Sequence, residues 1–298
     1  MNKGNVNLQP ESLLDEEQAA ARTADARSGC AATQRVPARL PGLEQHTLTS
    51  SKGRTYRIYT FIPAEPPPDK GYPILYLLDA NSVIGTAVEA VRMQSRKPHG
   101  FGPVAVVGIG YETDSPMDPA RFYDFTRPAD PSKLPARPDG SDWPPNGGAE
   151  AFIQFIEAEL KPHIERELPV DRGRQTLFGH SLGGLFVVDT LFTRTAAFQT
   201  YIAGSPSIWW NEHELVQHVE DWERGFQGER PQLDASLLLA VGGAEKPHMI
   251  VDARMLAERL YRLKPKGMRF RFDYLEEEAH VSILPGLISR GLNFSLRV

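Results

Sequence analysis

Gln175-Thr-Leu-Phe-Gly-His-Ser-Leu-Gly-Gly-Leu-Phe-Val-Val-Asp-Thr-Leu-Phe192 decides how the rest of the chain is read. Its first five residues read as a short buried strand, and the apolar residues from Leu182 onward read as a helix. Between the two, Gly179-His-Ser-Leu-Gly183 fits the pattern G-x-S-x-G. In that pattern a serine sits on a tight strand-to-helix turn, and the glycines let the backbone pass where a Cβ would clash. The start of the helix adds backbone N–H groups and a partial positive charge beside the serine. The bland alternative is a glycine-rich turn around a buried serine. The flanking strand and helix favour the first reading.

The neighbouring segments supply the sheet such a turn needs. Tyr72-Pro-Ile-Leu-Tyr-Leu-Leu78, Pro103-Val-Ala-Val-Val-Gly-Ile109 and Ser236-Leu-Leu-Leu-Ala-Val241 are nearly continuous apolar runs. Strands buried on both faces of a parallel sheet read this way. Thr55–Ile62 and Arg269–Leu275 are further predicted strands. Helices are predicted over 83–96, 149–168, 182–192, 251–263 and 287–296, with a kink at Pro162. Strands alternating with helices predict an α/β fold with a mostly parallel central sheet flanked by helices. No internal repeat or second core is visible, so residues 41–298 are read as one domain. Residues 1–40 hold few large apolar groups and are expected to be disordered, with room for a short helix from Leu13 to Ala21. Glu112–Gly148 is rich in proline and glycine and follows the C-terminal end of a strand. It is expected to form a cap-like insertion walling a pocket.

Composition narrows the function. The chain has 298 residues, 41% hydrophobic and 24% charged, as in an ordinary globular protein. Its 38 acidic and 33 basic residues give a net charge of −5, which argues against nucleic acid as a partner. One cysteine excludes an intramolecular disulfide framework and an all-cysteine metal cluster. No apolar run is long enough to span a bilayer, so no membrane partner is expected. The N-terminus lacks an apolar export core, so the cytoplasm is the expected compartment, or the periplasm if an export signal has been removed. His213-Glu-Leu-Val-Gln-His218 superficially echoes H-E-x-x-H, but its histidines are five apart and diverge around a helix. No phosphate-binding or dinucleotide-binding loop is present. No metal and no cofactor are expected. The expected partner is a small-molecule ester; the oligomeric state is left open.

A serine hydroxyl needs a base at neutral pH. Where a G-x-S-x-G serine stands on a parallel sheet, the acid and then the histidine follow it in the chain. His280 follows the last predicted strand and is the expected base. Glu245, just after the Ser236–Val241 strand, is the expected acid, with Asp252 and Glu276 to Glu278 as alternatives. The oxyanion donors are expected to be the N–H groups of Leu182 and Asn81, with Ala80 as the neighbour that would displace Asn81. His180 is expected to pack or position, and His213 and His218 to lie on a surface helix. Trp209 and Trp210 are candidates for an aromatic substrate pocket, although aromatics are more often core.

The chain resembles the esterase D-like esterases of the α/β-hydrolase fold, and more narrowly the enterobactin and salmochelin trilactone esterases. The pieces that carry the resemblance are Gly71-Tyr-Pro-Ile-Leu-Tyr-Leu-Leu-Asp-Ala-Asn81, Val107-Gly-Ile-Gly-Tyr111, Arg121-Phe-Tyr-Asp-Phe-Thr126, Gly179-His-Ser-Leu-Gly-Gly-Leu-Phe186 and Ser205-Pro-Ser207. They lie between about Tyr56 and Phe294. The resemblance implies hydrolysis of esters joining catecholoyl-serine units in a ferric or iron-free siderophore, with any iron arriving in the substrate. It implies roles for Ser181 and His280. It also admits a Ser–His dyad, because some members work without an acid. An anionic ferric substrate calls for cations, and Arg121, Arg127, Arg92, Arg96 and Lys97 are the candidates. Arg121 could instead pair with Asp124. A broad carboxylesterase for feruloyl or short acyl esters, and a non-catalytic ligand-binding protein of the same fold, are the rival readings.

Overall fold

The computed structural model describes residues 37–137, 139–225, 233–263 and 267–297. The N-terminal segment expected to be disordered lies outside the described residues as far as residue 36. Leu40–Val298 forms one compact unit.

Among the described residues, eight strands make one sheet. β1 (Leu43–Thr49) and β2 (Thr55–Phe61) form a hairpin. β3 (Tyr72–Leu77) and β4 (Ala105–Gly110) are buried at every position, as their unbroken apolar sequences require. β5 (Val170–His180), β6 (Thr200–Gly204), β7 (Ser236–Gly242) and β8 (Arg269–Leu275) complete the order β1-β2-β4-β3-β5-β6-β7-β8. β1–β2 and β2–β4 pair antiparallel, and every later pair is parallel. The mostly parallel sheet expected from the sequence is therefore present, with an antiparallel corner at one edge.

Helices cover both faces. α1 (Ala80–Gln94) packs on one side, where Leu75, Leu77, Val88 and Leu287 share a core. On the other side Ile74, Tyr76, Phe152 and Phe186 share a second core. The alternation Ile74, Leu75, Tyr76, Leu77 sends successive side chains to opposite layers. α2 (Ala120–Phe125) lies inside the proline-rich insertion. α3 (Ala149–Phe155) passes through a π-helical turn (Ile156–Leu160) into α4 (Lys161–Glu167). The predicted kink thus takes the form of a widened turn immediately before Pro162, which has no N–H to give to the preceding turn. α5 (Leu182–Thr193), α6 (Glu214–Arg224), α7 (Pro247–Leu263) and α8 (Ile283–Leu296) follow.

The insertion is not featureless. Besides α2 it holds a short 3₁₀ turn, Pro131–Lys133. Its root is pinned by Asp124, which is fully buried. Asp124 pairs with Arg54 at 2.9 Å and accepts hydrogen bonds from the hydroxyls of Tyr56 and Tyr111, each at 3.1 Å. Burial pushes the Asp124 carboxyl above its ordinary range, and these bonds only partly offset that. Phe125 packs on Phe152 at 5.6 Å and Phe186 at 5.9 Å between ring centres, tying α2 to α3 and α5.

Candidate active site

The turn between β5 and α5 has the geometry of a nucleophile elbow. Ser181 has φ 59° and ψ −118°, a conformation in which an L-residue is strained. Two glycines make the turn possible. A Cβ on Gly179 would lie 2.2 Å from the Gly183 carbonyl oxygen, and one on Gly184 would lie 2.6 Å from the Gly204 carbonyl oxygen. The Ser181 N–H donates to the Gly204 carbonyl at 2.9 Å, so the turn is anchored on β6.

Three side chains then meet at the C-terminal ends of the parallel strands. The Ser181 hydroxyl lies 3.1 Å from His280 Nε2, and His280 Nδ1 lies 2.8 Å from Glu245 Oε2. Glu245 stands just past β7 and its side chain has no exposed surface. Its other oxygen accepts from the Ser205 hydroxyl at 2.5 Å and from the Gly242 N–H at 2.8 Å. Burial alone would raise the Glu245 carboxyl. The bonds from His280, Ser205 and Gly242 outweigh it and hold the group below its ordinary value, ionised at neutral pH. The loops carrying Glu245 and His280 are stitched together. Gly243 N–H donates to the Leu275 carbonyl at 2.7 Å and Ala244 N–H to the Glu278 carbonyl at 3.0 Å. His180 is buried beneath them, its ring centre 4.5 Å from that of His280. Burial, with the neighbouring His280, pushes His180 down to about 3, so it stays neutral under the site.

The other acids considered from the sequence are elsewhere. Asp252 bonds to His213 at 3.1 Å, and Glu278 accepts from Ser282. Ser205 and Ser207 were not singled out as site residues. Ser207 Oγ lies 3.3 Å from Ser181 Oγ, and Ser205 takes φ 43° to reach Glu245. The signal was present in Ser205-Pro-Ser207, a polar run directly after a strand, but β6 itself was too short to recognise.

Arg121 corrects an expectation. It does not face substrate and does not pair with Asp124. It lies buried beneath the elbow in a bidentate pair with Asp79, Nε to Oδ1 at 2.9 Å and Nη2 to Oδ2 at 2.8 Å. A Cβ on Gly183 would come 3.5 Å from Asp79 Oδ2, so this carboxylate sits against the elbow. Unpaired, it would oppose any negative charge forming there; Arg121 neutralises it. Asp79 itself has φ 51° and starts α1. Asn81, in the first turn of α1, spends its side chain on the strand beyond. Nδ2 donates to the carbonyls of Tyr111 and Thr113 at 3.0 and 2.8 Å, and Oδ1 accepts from the Tyr111 N–H at 2.8 Å. Only its backbone N–H is available to a substrate. Leu182 and Asn81 both occupy first turns of helices, whose N–H groups have no partner within the helix.

Ser181 and His280 open into a cavity of about 380 Å³ lined by Pro135, Ala136 and Trp143 of the insertion, by Ser207 and Trp209, and by Lys246, His248 and Met249. The insertion does wall the pocket. The adjacent tryptophans part company: Trp209 lines the cavity, whereas Trp210 is 2% exposed and packs edge-on to Trp143 at 5.4 Å. Trp143, Lys246 and His248 were not singled out: Trp143 reaches the cavity from the insertion, and although Lys246 and His248 follow Glu245 closely in the chain, nothing local marks which side chains there turn to the cavity. The other proposed cations are not in this cavity. Arg92 lies in the last turn of α1, about 18 Å along the helix from Ala80, and Arg96 and Lys97 follow the helix end. Arg127 is bound to Asp189 at 3.0 Å. Among the described residues no cluster of three or more histidine, cysteine or acidic side chains is arranged to hold a metal. No described helix is long and apolar enough to cross a membrane.

Residues 49–248 match the family described as "Putative esterase". The chain is 49% identical over 263 residues to the ferri-bacillibactin esterase of Bacillus subtilis, covering 86% of this chain and 90% of that one. It is 36% identical over 287 residues to the siderophore triacetylfusarinine C esterase of Aspergillus fumigatus, covering 86% and 94% respectively. Its fold matches the crystal structure of the BES protein from Bacillus cereus with a TM-score of 0.82 at 38% identity, over 89% of this chain and 100% of that one. With its serine elbow on an α/β-hydrolase sheet and relatives matched nearly end to end, the chain belongs to this esterase family and is a carboxylic ester hydrolase.

Proposed function

We propose that the protein hydrolyses the ester bonds of a siderophore, a catecholate trilactone such as enterobactin, through an acyl-enzyme on Ser181. The observation that carries this reading is the unbroken hydrogen-bonded chain Ser181–His280–Glu245, opening into a cavity that offers two tryptophans and a lysine. His280 Nε2 takes the Ser181 proton as Oγ attacks the ester carbonyl. Glu245 accepts from Nδ1–H, fixing the tautomer and stabilising the imidazolium. The N–H groups of Leu182 and Asn81 hold the oxyanion. His280 then gives its proton to the departing alcohol and activates water to release the acid. Trp143 and Trp209 suit a flat aromatic acyl arm, and Lys246 suits the negative charge of a catecholate. The siderophore esters in the names of both relatives described above support this substrate class.

Purified protein incubated with ferric and with iron-free enterobactin, followed by chromatography, tests the proposal. Linear dihydroxybenzoyl-serine trimers, dimers or monomers should appear with wild type. Ser181→Ala should reduce turnover by about 10⁶-fold while leaving the fold intact. No cleavage of either form, alongside brisk p-nitrophenyl butyrate turnover, would discard the siderophore and leave a broad carboxylesterase.

A further inference from the structure

The connection between Ser207 and α6 contains three consecutive non-glycine residues in the left-handed region: Asn211 at φ 46°, Glu212 at φ 52° and His213 at φ 65°. One such residue is uncommon, and a run of three persists only where its surroundings hold it. The leading end of the connection is fixed by the chemistry. Ser207 N–H donates to the Ser181 carbonyl at 3.1 Å, and Trp210 N–H donates back to the Ser207 carbonyl at 3.0 Å. The trailing end is fixed by His213, whose Nε2 lies 3.1 Å from Asp252 Oδ1. Asp252 is on α7, with its side chain 10% exposed, and the His213 side chain is 49% exposed. The same helix begins with Pro247, His248 and Met249, the last two of which line the Ser181 cavity. Trp209 hangs between these two anchors, 6.0 Å from Trp143 of the insertion. Glu212 adds a longer and still more exposed tie to Lys133 of the insertion at 3.5 Å.

We infer that Asp252 and His213 are positioning residues for substrate selection. Their hydrogen bond clamps the left-handed run, and the clamped run sets Trp209 against Trp143 and against the start of α7. The width of the slot for the acyl group is thereby fixed by a pair that touches neither the substrate nor the Ser181–His280–Glu245 chain. An acyl group that fills the slot with an aromatic ring feels the clamp, and an acetyl group does not. This rests on Ser181 being the esterase nucleophile, but not on the identity of the siderophore.

The test compares p-nitrophenyl benzoate with p-nitrophenyl acetate. Asp252→Ala breaks the bond. His213→Gly breaks it from the other side while tolerating positive φ. Both should raise KM for the benzoate about tenfold with kcat within about twofold, and leave both constants for the acetate within about twofold. Asp252→Asn still offers Oδ1 to the His213 N–H and should behave as wild type. Equal losses on the two esters, unchanged benzoate KM, or an Asp252→Asn variant as impaired as Asp252→Ala would each overturn the inference. Failure of wild type on enterobactin leaves this comparison intact and counts against the siderophore alone. Acetate turnover that survives Ser181→Ala would remove the nucleophile on which both readings stand.

Discussion

The floor of the site and its walls are built by different means. Ser181 stands at the end of β5, and Glu245 and His280 stand on short, mutually bonded loops just past β7 and β8, so the spacing of the sheet and that stitching set their separation. Trp143, Trp209 and Lys246 stand on connections and His248 in the first turn of α7, and their positions depend on contacts made from elsewhere. The lesson is a division of labour. In the proposed mechanism the parallel sheet delivers the bond-breaking groups with little tolerance, while the loops above it can vary the acyl group admitted without moving those groups.

The sharpest break of that contrast is on the floor. Glu245→Gln should lower kcat by about 10³–10⁴-fold on every ester, aromatic or short, because the wrong tautomer of His280 would face Ser181. A loss under tenfold in steady-state kinetics would mean that the serine and histidine act as a dyad. Next comes the buried pair beneath the elbow. Arg121→Met strands Asp79 and should cost about 3–5 kcal/mol in denaturant unfolding. Asp79→Asn combined with Arg121→Met should recover most of that loss, since no buried charge is then left unpaired. A single variant as stable as wild type would show that the pair is not needed to hold the floor. On the wall, Trp209→Ala should raise KM for an aromatic ester about tenfold and spare kcat. A fall in kcat with KM unchanged would move Trp209 from wall to floor.

The smallest effect lies where the two regions join. His218 on α6 bonds to Asp189 of α5 at 2.8 Å and faces Glu214 at 3.4 Å, while Arg127 shares Asp189. The hydrogen bonds to Asp189 and Glu214 raise His218 to about 9 from an ordinary 6.5, against partial burial and the repulsion of Arg127. A folded-state value above the unfolded one means stability that is fully present below pH 6.5 and lost as pH rises through about 9. The contribution is on the order of 1 kcal/mol after solvent screening, or about 2–4 °C in Tm. His218→Gln should flatten the fall in Tm over that interval. A variant with the same slope as wild type would assign the slope to other groups.

What the sequence disclosed follows the same division. The elbow, β3, β4 and β7 were legible because apolar continuity and glycine placement are local signals. Glu245 and His280 were legible because chain order along a parallel sheet constrains where they fall. β1 was not, since Leu43-Glu-Gln-His-Thr-Leu-Thr49 is an exposed edge strand with little to bury. β6 was not, because five residues are too few for a period to show. Arg121 misled because its partner, Asp79, is 42 positions away. Trp209 and Trp210 were read as equivalent because adjacency in the chain hides which one faces the core.

The stitching of the loops after β7 and β8 has a consequence for biosynthesis. As the chain leaves the ribosome, Ser181 is threaded long before Glu245 and longer still before His280. A nascent chain that has folded through β6 displays the strained elbow with neither acid nor base beside it. On the proposed mechanism ester cleavage waits for the chain beyond β8: a product truncated before Ala279 can keep all eight strands of the sheet and Ser181, but it lacks His280 and should hydrolyse no ester at a useful rate.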